Sequence, residues 1–267
     1  MDIPASLLVI GALLVTASIF VYGGLILRIR KCGGKVRTED FGPFDLVVVG
    51  LLLCWFTSAI LHGFKHAEKP VHASDIVEGS FTFVLVVLFL GSFMHFRGIR
   101  LAEQFGLRRV SFGKVAAYSL GLVAAAYPFV GLAGAVTSKT LGSQAKPQEL
   151  VKYFLDSVKN GNHGAVAITV VMGAVFAPVA EEFIFRGYIY GVMKRHLGIT
   201  AGALLSAAFF AAIHLNETSL PALFVLALCF VIAYEVTGSL LVCMAMHALF
   251  NFINLSLLLT AGANASP

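Results

Sequence analysis

The chain has 267 residues, of which 58% are hydrophobic and only 12% charged, with a formal net charge of +5 and a mean hydropathy of +0.89. Soluble domains carry about 25% charged residues, so a water-soluble globule is excluded and an all-α polytopic membrane protein is expected. The excess of positive charge does not point to nucleic acid, because the basic residues cluster at the ends of apolar runs, where membrane topology favours them.

Apolar runs long enough to cross a bilayer, roughly 17–25 residues, occur at 5–27, 44–64, 79–96, 113–136, 164–194, 200–215, 219–236 and 239–260. They predict a bundle of about eight transmembrane helices, since isolated spans must satisfy their backbone internally. Alternating segments of the kind a transmembrane barrel needs are absent from the sequence. The opening "MDIPASLL" has an acid and no Lys or Arg ahead of its apolar run, so it reads as the start of a first span rather than a secretory signal. Arg28, Arg30, Lys31, Lys35 and Arg37 follow the first span; Arg97, Arg100, Arg108, Arg109 and Lys114 follow the third; Lys194 and Arg195 follow the fifth. The opposite loops hold Lys65, Lys69, Lys139, Lys146, Lys152 and Lys159. Twelve against six predicts that both termini lie outside and the basic loops in the cytoplasm. A multi-pass protein, most naturally of the cell membrane, is expected.

Between the second and third spans, His62 and His66 are four apart with His72 beyond, but Lys65 and Lys69 stand among them. This reads as a solvated interface rather than a metal site. In the loop at 137–163, "PQELVKYFLDSV" puts Leu150, Val151, Phe154, Leu155 and Val158 on one helical face, which predicts a short helix lying at the interface. The chain thus divides into amino-terminal transmembrane helices (1–136), an extracytoplasmic loop with an amphipathic helix (137–163) and a set of helices carrying chemistry (164–260). Cys32, Cys54, Cys229 and Cys243 form no CxxC pair and read as small core residues.

The chemistry is marked by ionisable groups inside the spans, each costing on the order of 2.5–3.5 kcal/mol on insertion scales. They are Glu181, Glu182, Arg186, His214, Glu235 and His247, with the amides Asn251 and Asn254. Glu182 and Arg186 are i,i+4 and can pair. Glu181 is rotated by about 100° from Glu182, so it is left as the unpaired carboxylate. His247 and Asn251 are also i,i+4, while Glu235, close to a span end, is expected to reach the surface. Counted at about 1.5 Å per residue, Glu181 and His214 lie roughly 20 Å from the basic end, and His247 and Asn251 roughly 12 and 18 Å. Pro178, three residues before Glu181, removes a backbone donor and is expected to free the carbonyl of Ala174 and kink the helix. Gly187 and Gly191 offer a small-residue face for close helix contact.

One acid, two imidazoles and an amide at a common depth suit hydrolysis of an amide bond. Glu181 would take a proton from a water that His214 also holds. His247 and Asn251 would donate to the developing oxyanion, and Glu182 with Arg186 would fix Glu181. A divalent metal such as zinc, held by His214, His247 and a carboxylate, is the alternative use of the same side chains, although no HExxH is present. A transporter using the acids as a proton or ion relay is another, as is a non-proteolytic membrane scaffold or immunity factor. Against the relay stands the lack of internal repeats.

Three short motifs carry a resemblance. "EEFIFR" at 181–186, "FAAIH" at Phe210 to His214, and "HALFN" at His247 to Asn251, preceded by "TGSL", occur in this order. They resemble the intramembrane proteases related to the type II CAAX prenyl endopeptidase, the CPBP or Abi family. "LAEQFGLRR" at 101–109 resembles a segment found ahead of that family's catalytic core. The resemblance, over about 177–254, implies a helical bundle and a hydrolase, an intramembrane endopeptidase. In it Glu181 and His214 activate water, His247 and Asn251 stabilise the oxyanion, and Glu182 and Arg186 support them. It implies a peptide or membrane-protein substrate, prenylated or not, met within the lipid bilayer, and leaves metal dependence open.

The basic-loop asymmetry makes a direct prediction. Cysteines introduced near position 105 should be protected from an impermeant thiol reagent in intact cells, and those near 145 should label. The reverse pattern would invert the orientation.

Overall fold

The computed structural model describes residues 4–65, 72–142 and 148–264. His66, Lys69 and Lys146 lie outside the described residues, as does the side chain of Lys65. All regular secondary structure among the described residues is helical: α1 (Ala5–Cys32), α2 (Pro43–Lys65), α3 (Ala73–Phe96), α4 (Leu101–Gln104), α5 (Phe112–Leu141), α6 (Glu149–Lys159), α7 (His163–Val171), the π-helical turn π1 (Met172–Phe176), α8 (Ala177–Glu182), a second π-helical turn π2 (Phe183–Ile189), α9 (Tyr190–Ala212), α10 (Leu220–Thr237) and α11 (Leu240–Asn264).

Seven stretches among them are long and apolar enough to cross a membrane: Ser6–Cys32, Pro43–His62, Ala73–Phe96, Phe112–Leu141, His163–Ala212, Leu220–Thr237 and Leu240–Thr260. The chain is a multi-pass membrane protein. The fifth stretch has 50 residues, about 75 Å of straight helix against a hydrocarbon core of about 30 Å. It is not straight. Gly198, at φ 82°, ψ 171°, breaks α9 internally. A Cβ on Gly202 would lie 2.9 Å from the backbone nitrogen of Lys194, although eight residues of helix would separate them by about 12 Å. The chain therefore turns back at Gly198, and the runs at 164–194 and 200–215 are two passes in one continuous helical assignment.

The ends of the spans differ from expectation where side chains cap them. α3 starts at Ala73 rather than 79, because His72 and Asp75 form a reciprocal capping box that admits the acids into its first turns. α10 ends where Gly238 adopts a left-handed φ of 68° and its N–H bonds the Tyr234 carbonyl. The short helix expected in this loop is present as α6: Phe154 is fully buried, and the helix packs against α7 and α11.

α10 is the central helix, packed against α1, α5, α9 and α11, while α2 packs against α9 and α3 against α8 and the π turns on either side of it. At the basic end the loops fold inward. Glu235 does not reach the surface; it is 1% exposed and accepts from Lys194 Nζ at 2.7 Å and from the Tyr190 hydroxyl. Its backbone carbonyl accepts from the Lys35 N–H at 2.8 Å, and Lys194 also donates to the Val36 carbonyl at 2.9 Å. The loop after α1 is thereby tucked under α10, and the acid that looked like a surface group is the peg that holds it. Asp45 plays the same part for α2. It is fully buried, accepts from Gly42 N–H at 2.7 Å and Tyr188 hydroxyl at 2.9 Å, and is paired with Arg97. Gly187 and Gly191 serve close contact, but with rings and side chains rather than a bare helix backbone. A Cβ on Gly191 would meet the Phe41 ring at 2.5 Å, and one on Gly187 would meet Phe105 at 3.1 Å and Leu240 at 3.3 Å.

Candidate active site

α8, π2, α9 and α11 bring the intramembrane polar residues together. Glu182 and Arg186 form the pair that their spacing predicts, with Arg186 Nη1 donating to Glu182 Oε1 at 2.9 Å. Both are essentially without exposure, 0% for Glu182 and 1% for Arg186. The guanidinium is held between two ring faces, 4.1 Å from the Phe210 centroid and 5.0 Å from that of Phe230, where the negative face of each ring offsets part of the buried cation's lost hydration.

The same oxygen of Glu182 takes a second contact from α11. His247 Nδ1 stands 2.9 Å from Glu182 Oε1, and a carboxylate can only accept, so Nδ1 carries the proton. Nε2 is then turned towards Glu181, 3.9 Å from its Oε2. The Phe210 and Phe230 rings lie 5.7 and 5.2 Å from the imidazole, so the rings that sandwich Arg186 also confine His247. Glu181 itself keeps 13% exposure and lines a cavity of about 310 Å³ together with His214. Its other walls come from α2 and α3, among them Trp55, Phe56, Gly79 and Phe83. His214 gives Nδ1 to the Phe210 carbonyl at 2.8 Å, which fixes its tautomer and leaves Nε2 as an acceptor.

Asn251 is placed by the backbone. Ala177 N–H bonds back to the Met172 carbonyl, the wider i→i+5 step of a π turn. The next rung would join the Gly173 carbonyl to residue 178, which is proline and has no N–H. Asn251 Nδ2 supplies the missing donor, 2.8 Å from Gly173 O. The carbonyl that Pro178 frees is thus Gly173's rather than Ala174's, because the π turn shifts the register by one. One hydrogen of the Asn251 amide is committed there, and the second is available to another acceptor. Asn254, by contrast, binds the Phe250 carbonyl at 2.8 Å and the Tyr127 hydroxyl at 3.3 Å and belongs to the α5–α11 contact.

The metal alternative was tested on the donor set. Among the described residues no three His, Cys, Asp or Glu side chains are grouped so that they could hold an ion. No step below passes through a metal.

With this geometry in view, the comparison with known families is specific. The family model for Rce1-like type II CAAX prenyl endopeptidases matches residues 163–253. This stretch is an Rce1-like domain. It is about a third of the 267-residue chain and runs from the first residue of α7 into α11. No curated protein and no solved structure matches the chain. The Rce1-like domain contains all six residues singled out in the sequence, but part of its cavity wall comes from α2 and α3, which lie outside the matched stretch. Sequence reasoning missed that wall, because its residues are apolar and look like any lipid-facing span. It also missed the role of Phe230, which has no motif around it. The segment at 101–109 touches the domain directly: Phe105 stacks edge-on to Phe183 at 5.0 Å, and its carbonyl accepts from the Leu240 N–H at 3.0 Å.

The Gly173–Asn251 bond yields a test by coupling. Asn251→Ala should cost about 1–3 kcal/mol of stability, the cost of a buried acceptor left alone. In a Pro178→Ala background the restored N–H at position 178 can serve Gly173, so the same change should cost measurably less. Equal losses in both backgrounds, read from thermal unfolding in one detergent, would show that the two residues do not serve the same carbonyl.

Proposed function

We propose that the protein is an intramembrane endopeptidase that hydrolyses a peptide bond with a water activated by Glu181. The observation that carries this reading is the asymmetry of the two adjacent acids. Glu182 is buried and engaged through one oxygen by both Arg186 and His247, whereas Glu181 opens with His214 on a cavity. Peptide substrates are in keeping with the Rce1-like domain.

In this reading the water lies between Glu181 and His214. His214 Nε2 accepts one of its O–H bonds and orients it; Glu181 takes the other proton as the oxygen attacks the peptide carbonyl carbon. The oxyanion that forms is stabilised by the free hydrogen of Asn251, and by His247 when its Nε2 has taken up a proton from solvent and can donate. Collapse of the intermediate breaks the C–N bond, and Glu181 returns its proton to the leaving amine. Pre-oriented donors in a site shut off from bulk water are worth more than in solution, because no solvent must reorganise as charge develops. The walls of Trp55, Phe56 and Phe83 suit an apolar segment of a peptide or membrane protein next to the scissile bond, prenylated or not.

The test is cleavage of a peptide library by the purified protein in a bilayer. Wild type should release defined products and Glu181→Gln none. His214→Ala should retain binding and lose on the order of 100–10,000-fold in rate. Cleavage by Glu181→Gln at the wild-type rate would overturn the proposal, as would a wild type that cleaves nothing while moving protons or ions across the bilayer.

A further inference from the structure

The basic end of the bundle holds a second cavity, remote from the acids in role and chemistry. It encloses about 780 Å³ between the loop after α1 and the segment from Arg100 to Arg109. Lys35, Arg37, Arg100, Arg108 and Arg109 line it, against only two acids, Glu39 and Glu103. The acids do not neutralise it. Arg100 is paired with Glu103 at 2.8 Å. Arg37 stands 3.7 Å from Glu39 and 4.0 Å from both Asp40 and Glu103. Arg109 is spent on a backbone contact, donating to the Lys35 carbonyl at 3.0 Å. Lys35 and Arg108 are exposed and have no acidic partner among the described residues. Glu39 stays ionised, its carboxyl held below the ordinary range by its own backbone N–H first and by Thr38 N–H and Arg37 after it, so the count of five cations to two anions holds at neutral pH.

The helix ends that adjoin these two loops expose apolar side chains. Phe96 at the end of α3 and Phe112 at the start of α5 are each 87% exposed, and they flank the segment that carries Arg100, Arg108 and Arg109. Ile26 and Leu27 of α1 are also exposed above the other loop. Aromatic side chains of this kind settle at the headgroup level of a bilayer. A cationic pocket between loops whose adjoining helix ends expose apolar side chains matches a molecule with an anionic head and acyl tails.

We infer that this cavity is a binding site for the phosphate headgroup of an anionic phospholipid, held by Lys35 and Arg108. Basic groups at a membrane surface attract anionic lipids by about 1 kcal/mol each, and here two unpaired cations are presented by two different loops, so one headgroup would tie the loops together. The consequence reaches the Rce1-like domain. The first loop is pinned to Glu235 and Lys194, and the second sets Phe105 against Gly187 and Phe183, one residue from Arg186. The bound lipid braces the support of π2.

The experiment compares the full chain in bilayer discs of phosphatidylcholine alone with discs that also contain phosphatidylglycerol, following thermal unfolding and, by native mass spectrometry, the lipid retained. Wild type should unfold several degrees higher with phosphatidylglycerol and carry it out of the disc in preference to phosphatidylcholine. Lys35→Gln with Arg108→Gln should lose both effects. Arg28→Gln with Arg30→Gln, which removes the same charge from the exposed end of α1, should keep them. Inorganic phosphate or a soluble acidic peptide that stabilises the wild type as much as the lipid does would overturn the assignment to lipid. Equal loss in the two double variants would overturn the site.

Discussion

A full ion pair with no exposure, Glu182 with Arg186, is the constraint around which this bundle is arranged. Moving two charges out of water costs several kcal/mol per ion even after relaxation, and their attraction offsets that only when the geometry is good and the remaining hydrogen-bonding positions are used. Much of the surrounding packing supplies those conditions. Phe210 and Phe230 cover the guanidinium from α9 and α10, and His247 from α11 takes the carboxylate oxygen that Arg186 also uses. Three helices are tied to one side-chain pair, and the adjacent acid is excluded from it. Glu181 is available for chemistry because Glu182 is not. One oxygen of Glu182 and one guanidinium nitrogen remain without protein partners, so the pair is held by its rings and its imidazole rather than by complete hydrogen bonding.

The backbone adapts to the same demand. Two π turns, Met172–Phe176 and Phe183–Ile189, flank the short helix that ends in the acids. Such turns are often found beside functional positions. The first of them puts the lost donor of Pro178 opposite Gly173, and Asn251 closes the gap. Asn251 therefore locks α11 to the helix that carries the two acids, which couples the position of His247, one turn earlier, to the register of π1.

The sequence was most readable where side chains four apart must share a helical face. The Glu182–Arg186 pair, the isolation of Glu181 and the burial of Phe154 in α6 all follow from 3.6-residue geometry. It was least readable at span ends. Asp45 and Glu235 lie where hydropathy falls and solvent is expected, yet both are buried because loops fold back over them, a tertiary event that no local window records. Asp45 did carry a signal, as an acid three residues after Gly42 whose carboxylate caps that residue's N–H. The freed carbonyl was misplaced by one residue for a different reason: reasoning from i→i+4 bonds cannot foresee a turn that bonds i→i+5. The walls supplied by α2 and α3 had no signal, since an apolar residue facing a cavity and one facing lipid are chemically alike.

The central claim is that the two neighbouring glutamates are physically unlike, one a buried anchor and the other a free base. Thermal unfolding of Glu181→Gln and Glu182→Gln, in the same detergent and independent of any substrate, tests it most directly. Glu182→Gln should lose about 3–5 kcal/mol, because it leaves Arg186 charged and unpaired inside the bundle. Glu181→Gln should stay within about 0.5 kcal/mol of wild type, as expected for a side chain outside the packed network. Equal losses in the two variants, or the larger loss at Glu181, would contradict the account.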